Sequence, residues 1–180
     1  MTQSLSPDEL LRQSDVIFDA RQVEAAVQDL AERIAGALAD ARPLVLSVMS
    51  GGAVFAGQLL TRLQFPLEFG YVQANRYHNQ TRGDEIVWKV APDEKVRGRT
   101  VLLVDDILDE GMTLAEVRDK CLEAGAARVF IAVLTDKDHG REKPIEADFV
   151  GLVVPDRYVF GYGMDVYGWW RNLASIRALK

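Results

Sequence analysis

Residues 101–104 read Val-Leu-Leu-Val, and three carboxylates follow within five positions: Asp105, Asp106 and Asp109, then Gly111 and Thr113. An unbroken apolar run of this length, without alternation, predicts a strand buried on both faces. The segment after it places Leu114, Val117, Cys121 and Leu122 on one helical face, with Gly125 as the stop. A buried strand therefore releases three acids at the start of a helix. Acids so close together repel one another unless a cation or hydroxyl groups meet them. A glycine and a hydroxyl directly before a helix offer backbone N–H groups to an anion, helped by the helix dipole. Together they suit a ligand that carries phosphate, hydroxyl groups and a divalent metal.

Strands and helices alternate along the rest of the chain. Val23, Ala26, Val27, Leu30, Ile34 and Leu38 recur at spacings of three and four. Asp19 with Gln22 makes a capping pair, and Arg42-Pro43 ends that helix. Leu44–Met49 is a buried strand that runs into Ser50-Gly51-Gly52 and a second helix; Leu67–Gln73 is the next strand. Polar residues 75–85 form a mobile hairpin loop, and Ile86–Val90 returns as a strand. Arg128–Leu134, Phe149–Val154 and Tyr158–Phe160 are further strands, separated by a charged loop at 136–147; residues 1–18, polar and mixed, are a short arm or first turn. This order predicts an α/β fold with a mostly parallel sheet flanked by helices, in one domain over 1–180. Ligands in such sheets bind beyond the carboxyl ends of the strands. That rule singles out Ser50–Gly52, Asp105–Thr113 and the loop from Asp136.

Composition narrows the function classes. The 21 Lys+Arg stand against 27 Asp+Glu, a formal charge of −6, which opposes broad binding to nucleic acid or an anionic membrane. The single cysteine, Cys121, excludes an internal disulfide, and on an apolar helical face it reads as inert. His78 and His139 stand far apart with no partner nearby in sequence, so both read as surface residues and no zinc site is expected. The acidic N-terminal stretch and short apolar runs point to a cytoplasmic setting without a membrane span. Gly52–Leu59 imitates a Walker spacing without its Lys and hydroxyl, and no G-x-G-x-x-G follows a strand.

The segment VLLVDDILDEGMTL resembles the phosphoribosyl-pyrophosphate (PRPP) motif of the type I phosphoribosyltransferases. DFVGLVVPDRYVFGYGMD, residues 148–165, and WWRNL, residues 169–173, are similar to the purine-binding segment and closing turn of the hypoxanthine-guanine phosphoribosyltransferases. The resemblance spans roughly residues 44–173. It implies a small hood built from the N-terminal arm and the C-terminal segment, and a flap at 75–85 that carries Tyr77. Asp105 and Asp106 would hold the ribose hydroxyls, and Asp109 would act near purine N7 as general acid/base. Glu110, Gly111, Met112 and Thr113 would cradle the 5-phosphate. Ser50-Gly51-Gly52, Arg141 and Arg171 would hold pyrophosphate. Lys137 would read the 6-oxo group, Tyr158 would stack on the purine, and Val159 would meet its edge. Asp165 would join Asp105 and Asp106 as a metal-linked acid for Mg²⁺.

The sequence departs from the family at Glu110, Met112 and Ser50, where Thr, Lys and Lys are common. A glutamate ~6 Å from a phosphate would cost about 3 kcal/mol at an effective dielectric of ~20, so Glu110 is expected to point outward and offer only its N–H. The implied reaction joins PRPP to hypoxanthine or guanine, in a homo-oligomer (dimer or tetramer) with no nucleic-acid or membrane partner. A xanthine-preferring enzyme is the first alternative. An RNA-binding attenuation regulator of the same fold is the other, and the −6 charge opposes it. Trp169-Trp170 reads as packing or a subunit contact, and Asp156-Arg157 as a surface turn.

Overall fold

The computed structural model describes residues 5–79 and 83–180, and over 75–79 and 83–86 the backbone path alone. The chain orders as α1 (Pro7–Arg12), β1 (Ser14–Phe18), α2 (Ala20–Leu38), β2 (Leu44–Val48), α3 (Gly52–Leu60), β3 (Glu68–Asn79) and β4 (Gly83–Val90). Then follow β5 (Thr100–Leu108), α4 (Met112–Glu123), β6 (Arg128–Asp138), β7 (Phe149–Pro155), β8 (Val159–Phe160) and β9 (Ile176–Leu179). Among the described residues the strands form two sheets, β4-β3-β2-β5-β6-β7 and β1-β9-β8.

The large sheet is parallel except at its β3–β4 edge. Its central strands carry apolar runs, Leu44–Leu46, Val101–Val104 and Val129–Leu134, because both faces are covered there, and successive side chains go to opposite cores. Val45, Leu102, Val104, Ala132 and Leu134 pack with α2 and α3. Leu44, Leu46, Val101, Leu103, Ile131 and Val133 pack with Leu114, Val117 and Cys121 of α4. Truncating any one of these leucines to alanine costs about 2–5 kcal/mol. Burial also pushes the Cys121 thiol up to about 12, which keeps it protonated and inert.

Helix α2 begins where the sequence places it. Asp19 accepts from the Arg21 and Gln22 N–H groups, and Gln22 Oε1 accepts from the Asp19 N–H at 2.9 Å. Three expectations are corrected. The β5 strand does not stop at Val104 but runs through both acids to Leu108, because β6 pairs with it up to Leu108↔Asp136. On its other side β7 pairs with β6 up to Asp138↔Pro155, so β6 runs to Asp138 and Lys137 lies on a strand rather than in the charged loop. The expected 75–85 loop is instead two antiparallel arms, with Tyr77 opposite Glu85; residues 80–82 lie outside the described residues, as does the Tyr77 side chain.

Residues 5–18 are more than a short arm or first turn, since they form a helix and a strand. Ser6 caps α1 with Glu9, and β1 pairs antiparallel with β9. Trp170 Nε1 donates to the Pro7 carbonyl at 2.7 Å, tying the start of α1 to the segment before β9. Among the described residues, no helix is long and apolar enough to cross a membrane.

Candidate active site

The carboxyl ends of β2, β5 and β6 open into one pocket of about 590 Å³. Its floor is Asp105 to Leu108 of β5, followed by Asp109 to Leu114, where α4 starts. Gly111 supplies the left-handed turn (φ 82°) that redirects the chain from strand to helix. The first N–H groups of α4 have no carbonyl within the helix to bond, so they face outward as an anion cradle. Lys137, Tyr158, Val159, Asp165 and Arg171 make the remaining wall with Met164.

Packing under the acids is close. A Cβ on Gly51 would overlap the Asp106 carboxylate, and one on Gly52 would approach the Val104 carbonyl oxygen to 2.7 Å. Only glycine therefore lets this loop lie against the end of β5. The peptide between Met49 and Ser50 is cis. Burial, with Asp106 beside it, holds the Asp105 carboxyl well above the usual range; burial raises Asp106 as well. Two adjacent carboxylates that resist ionising together form a place for positive charge.

Asp109 is the opposite case. Burial alone would raise its carboxyl, but Lys137 and His139 outweigh that and hold it low. Lys137 Nζ donates to Oδ2 at 2.5 Å and His139 Nε2 meets Oδ1 at 2.7 Å. Asp165 accepts from Arg171 at 2.5 Å and from the Gly168 N–H at 2.7 Å, while Arg171 also donates to the Gly163 carbonyl. The Tyr158 ring is 46% exposed and stands 5.6 Å, centroid to centroid, from Tyr167, a tilted aromatic pair at the pocket mouth.

The pocket thus gathers Gly51, Asp105, Asp106, Asp109, Glu110, Gly111, Met112, Thr113, Lys137, Tyr158, Val159, Asp165 and Arg171. Ser50 is exposed beside it and Gly52 is buried beneath it. Arg141 falls elsewhere, exposed on the loop after β6 and lining a separate hollow of about 420 Å³. Glu110 is exposed and lines the pocket. His139 is not the surface residue expected: its side chain is 9% exposed and bonded to Asp109, thirty positions away. Asp156 is more than a turn residue, with Oδ1 2.9 Å from His139 Nδ1. Local sequence gave no signal for His139 beyond its place two residues after Lys137 on the same strand end.

A family model for the phosphoribosyl transferase domain matches residues 13–168. The chain is 32% identical over 166 residues to the hypoxanthine-guanine phosphoribosyltransferase of Bacillus subtilis (strain 168), covering 92% of each protein. It is 29% identical to the hypoxanthine-guanine-xanthine phosphoribosyltransferase of Tritrichomonas foetus, over 100% of this chain and 97% of that protein. A solved structure of the Staphylococcus aureus hypoxanthine phosphoribosyltransferase superposes with a TM-score of 0.81 at 26% identity, over 100% of this chain and 97% of that one. The architecture is therefore the type I phosphoribosyltransferase fold, and with sequence likeness running almost the full length, the chain belongs to the phosphoribosyl transferase family, among its hypoxanthine-guanine phosphoribosyltransferases.

Proposed function

We propose that this enzyme transfers the 5-phosphoribosyl group of PRPP to hypoxanthine or guanine, giving IMP or GMP and pyrophosphate. The observation that carries this is the juxtaposition, in one pocket, of the β5 acids and the α4 N-terminus with Lys137 and Tyr158. One side suits a ribose 5-phosphate and the other a flat base with a hydrogen-bond acceptor on its edge.

The transferred sugar becomes cationic at C1 as pyrophosphate departs, so the site must favour a cation and a leaving polyanion together. The backbone of Glu110–Thr113 and the Thr113 hydroxyl would hold the 5-phosphate. Asp105 and Asp106 would take the ribose hydroxyls. Their paired, buried carboxylates also fit a divalent cation, because Mg²⁺ commonly takes one or two carboxylates and completes its shell with phosphate and water. Among the described residues no three His, Cys, Asp or Glu side chains converge on a point, so the other ligands would come from pyrophosphate and water. Mg²⁺ when bound would neutralise the leaving group's charge. Asp165, steadied by Arg171, faces the same space, and Arg171 would meet pyrophosphate. Arg141 would have to move with its loop to do so, since it lines the other hollow.

Asp109 would take the N7 proton of the purine as N9 bonds to C1. The Lys137 ammonium has three N–H groups, and its bond to Asp109 uses one; another would go to the 6-oxo group. A 6-amino base would set donor against donor, so adenine is rejected. Tyr158 would stack on the base and Val159 would meet its edge. Tyr77 would belong to a flap that keeps water from the cationic carbon. A cytoplasmic homo-oligomer, dimer or tetramer, completes the proposal; Trp169, 56% exposed, is a candidate contact.

The test is nucleotide formation from PRPP and Mg²⁺ with hypoxanthine, guanine, xanthine and adenine offered separately. Turnover of the first two with adenine inert supports the proposal. Xanthine is the specific second possibility, because the Tritrichomonas foetus relative carries that base in its name. Turnover of adenine alone would overturn the role given to Lys137.

A further inference from the structure

Asp109 is held at both carboxylate oxygens, and its two partners stand in different places. Lys137, at Oδ2, lines the main pocket beside Asp109 and borders the neighbouring hollow as well, whereas His139 does not line the main pocket. His139, at Oδ1, lines the neighbouring hollow with Arg141, Lys143, Ile145 and Val153. The imidazole thus reaches the carboxylate from behind. Its other nitrogen is a buried atom with no aligned hydrogen bond, and Asp156 Oδ1 stands 2.9 Å from it. The ring is 9% exposed, against 43% for Asp109 and 59% for Asp156.

A carboxylate that exchanges a proton with a ligand must turn one oxygen to it and keep the other fixed, since a misplacement near 1 Å costs about 100-fold in rate. A base entering the pocket meets Lys137 and competes for it. It does not meet His139. We infer that His139 is the positioning residue of Asp109: it anchors Oδ1 from outside the pocket, so that Oδ2 and Lys137 turn to the substrate without leaving the carboxylate unpaired. The inference builds on Asp109 as the acid–base group. The charged groups involved are Lys137 from β6 and Asp109 from the end of β5, with Asp156 from the turn after β7 at the far side of the ring. A donor at Oδ1 also helps keep Asp109 ionised, against the effect of its burial.

The experiment compares His139→Ala, His139→Gln and Asp109→Asn with the unmodified enzyme, using PRPP, Mg²⁺ and hypoxanthine across the acid limb of the pH profile. In the alanine variant kcat is expected to fall about 10-fold, the worth of one hydrogen bond to a charged group. KM for PRPP stays unchanged and the acid limb moves to higher pH. His139→Gln, whose amide donates at a similar reach, restores most of the rate. If the alanine variant fails to fold, His139→Asn takes its place, because its shorter amide misses Asp109; equal rates for Asn and Gln would overturn the inference. So would an alanine variant with unchanged kcat and acid limb while Asp109→Asn is disabled, an outcome that leaves the role of Asp109 standing. Full activity of Asp109→Asn would instead remove that role, and the inference with it.

Discussion

Thr135 donates a 2.9 Å hydrogen bond to the carbonyl oxygen of Asp106, across the seam between β6 and β5. Thr135 is fully buried, and its hydroxyl lies 3.7 Å from the Met164 sulfur. One buried polar group therefore fixes the strand end from which the pocket acids project. Thr135→Val keeps the shape and removes the donor. It is expected to cost about 1–2 kcal/mol, roughly 2–8 °C in Tm for a chain of this size, and to weaken PRPP binding. Thermal unfolding and titration calorimetry check both parts; unchanged PRPP affinity would mean that the bond is structural only.

Asp109→Asn removes the proposed proton acceptor but leaves the proposed phosphate cradle intact. A loss of about 10²–10⁴-fold in kcat, with PRPP affinity retained, is expected for a general base. Single-turnover kinetics with a separate PRPP binding measurement distinguish the two. Binding lost along with turnover would contradict the assigned role.

The acids should also pull stability in opposite directions with pH. Lys137 and His139 hold the Asp109 carboxyl low against its burial, so its contribution is present above the ordinary carboxylate pKa of about 3.9 and is lost as pH falls through the lower folded value. Burial holds Asp105 and Asp106 high, so their contribution is present in acid and is lost as pH rises through the folded values. In metal-free buffer near neutrality, Asp106→Asn should raise stability by about 1–2 kcal/mol while lowering activity, the trade common at functional sites. A variant less stable than the parent at neutral pH would show that the paired carboxylates are not a strained pair.

Gly51→Ala places a methyl group where the Asp106 carboxylate already is. Either the loop after β2 or the acid must shift, and a shift near 1 Å is enough to lower activity about 100-fold. The comparison is Gly57→Ala on the outer part of α3, where an added Cβ meets nothing within 4 Å. That change should leave kcat unaltered. Equal effects from the two substitutions would rule out the close approach as the cause.

The sequence made the centre of the molecule legible and its periphery less so. The run Val101–Val104, the acids after it and the glycine before α4 carry their meaning locally, because an all-apolar strand needs two covered faces and a strand end needs a turn. Asp19 and Gln22 likewise announce the start of α2 within four residues. The ends of β5 and β6 were not legible, since residues 105–108 and 136–138 are held extended by ladder partners on other strands, β6 for the end of β5 and β7 for the end of β6. The same holds for His139, whose partners Asp109 and Asp156 come from two other strand ends. Arg141 shows the converse: its place in a motif suggested a pocket residue, and the loop geometry turned it to another hollow.

The pairing of β1 with β9 sets an order of events during synthesis. Residues 14–18 leave the ribosome before the large sheet is complete, yet their partner strand, residues 176–179, is made only after it. The large sheet is complete in sequence by Pro155 and can assemble as soon as that segment is free, since domains consolidate as their chain emerges. The small sheet has to wait, and with it β8, which also pairs with β9 and presents Val159 to the pocket. A nascent chain that still lacks residues 176–179 would thus carry a finished β5–α4 floor under an unfinished wall around Val159.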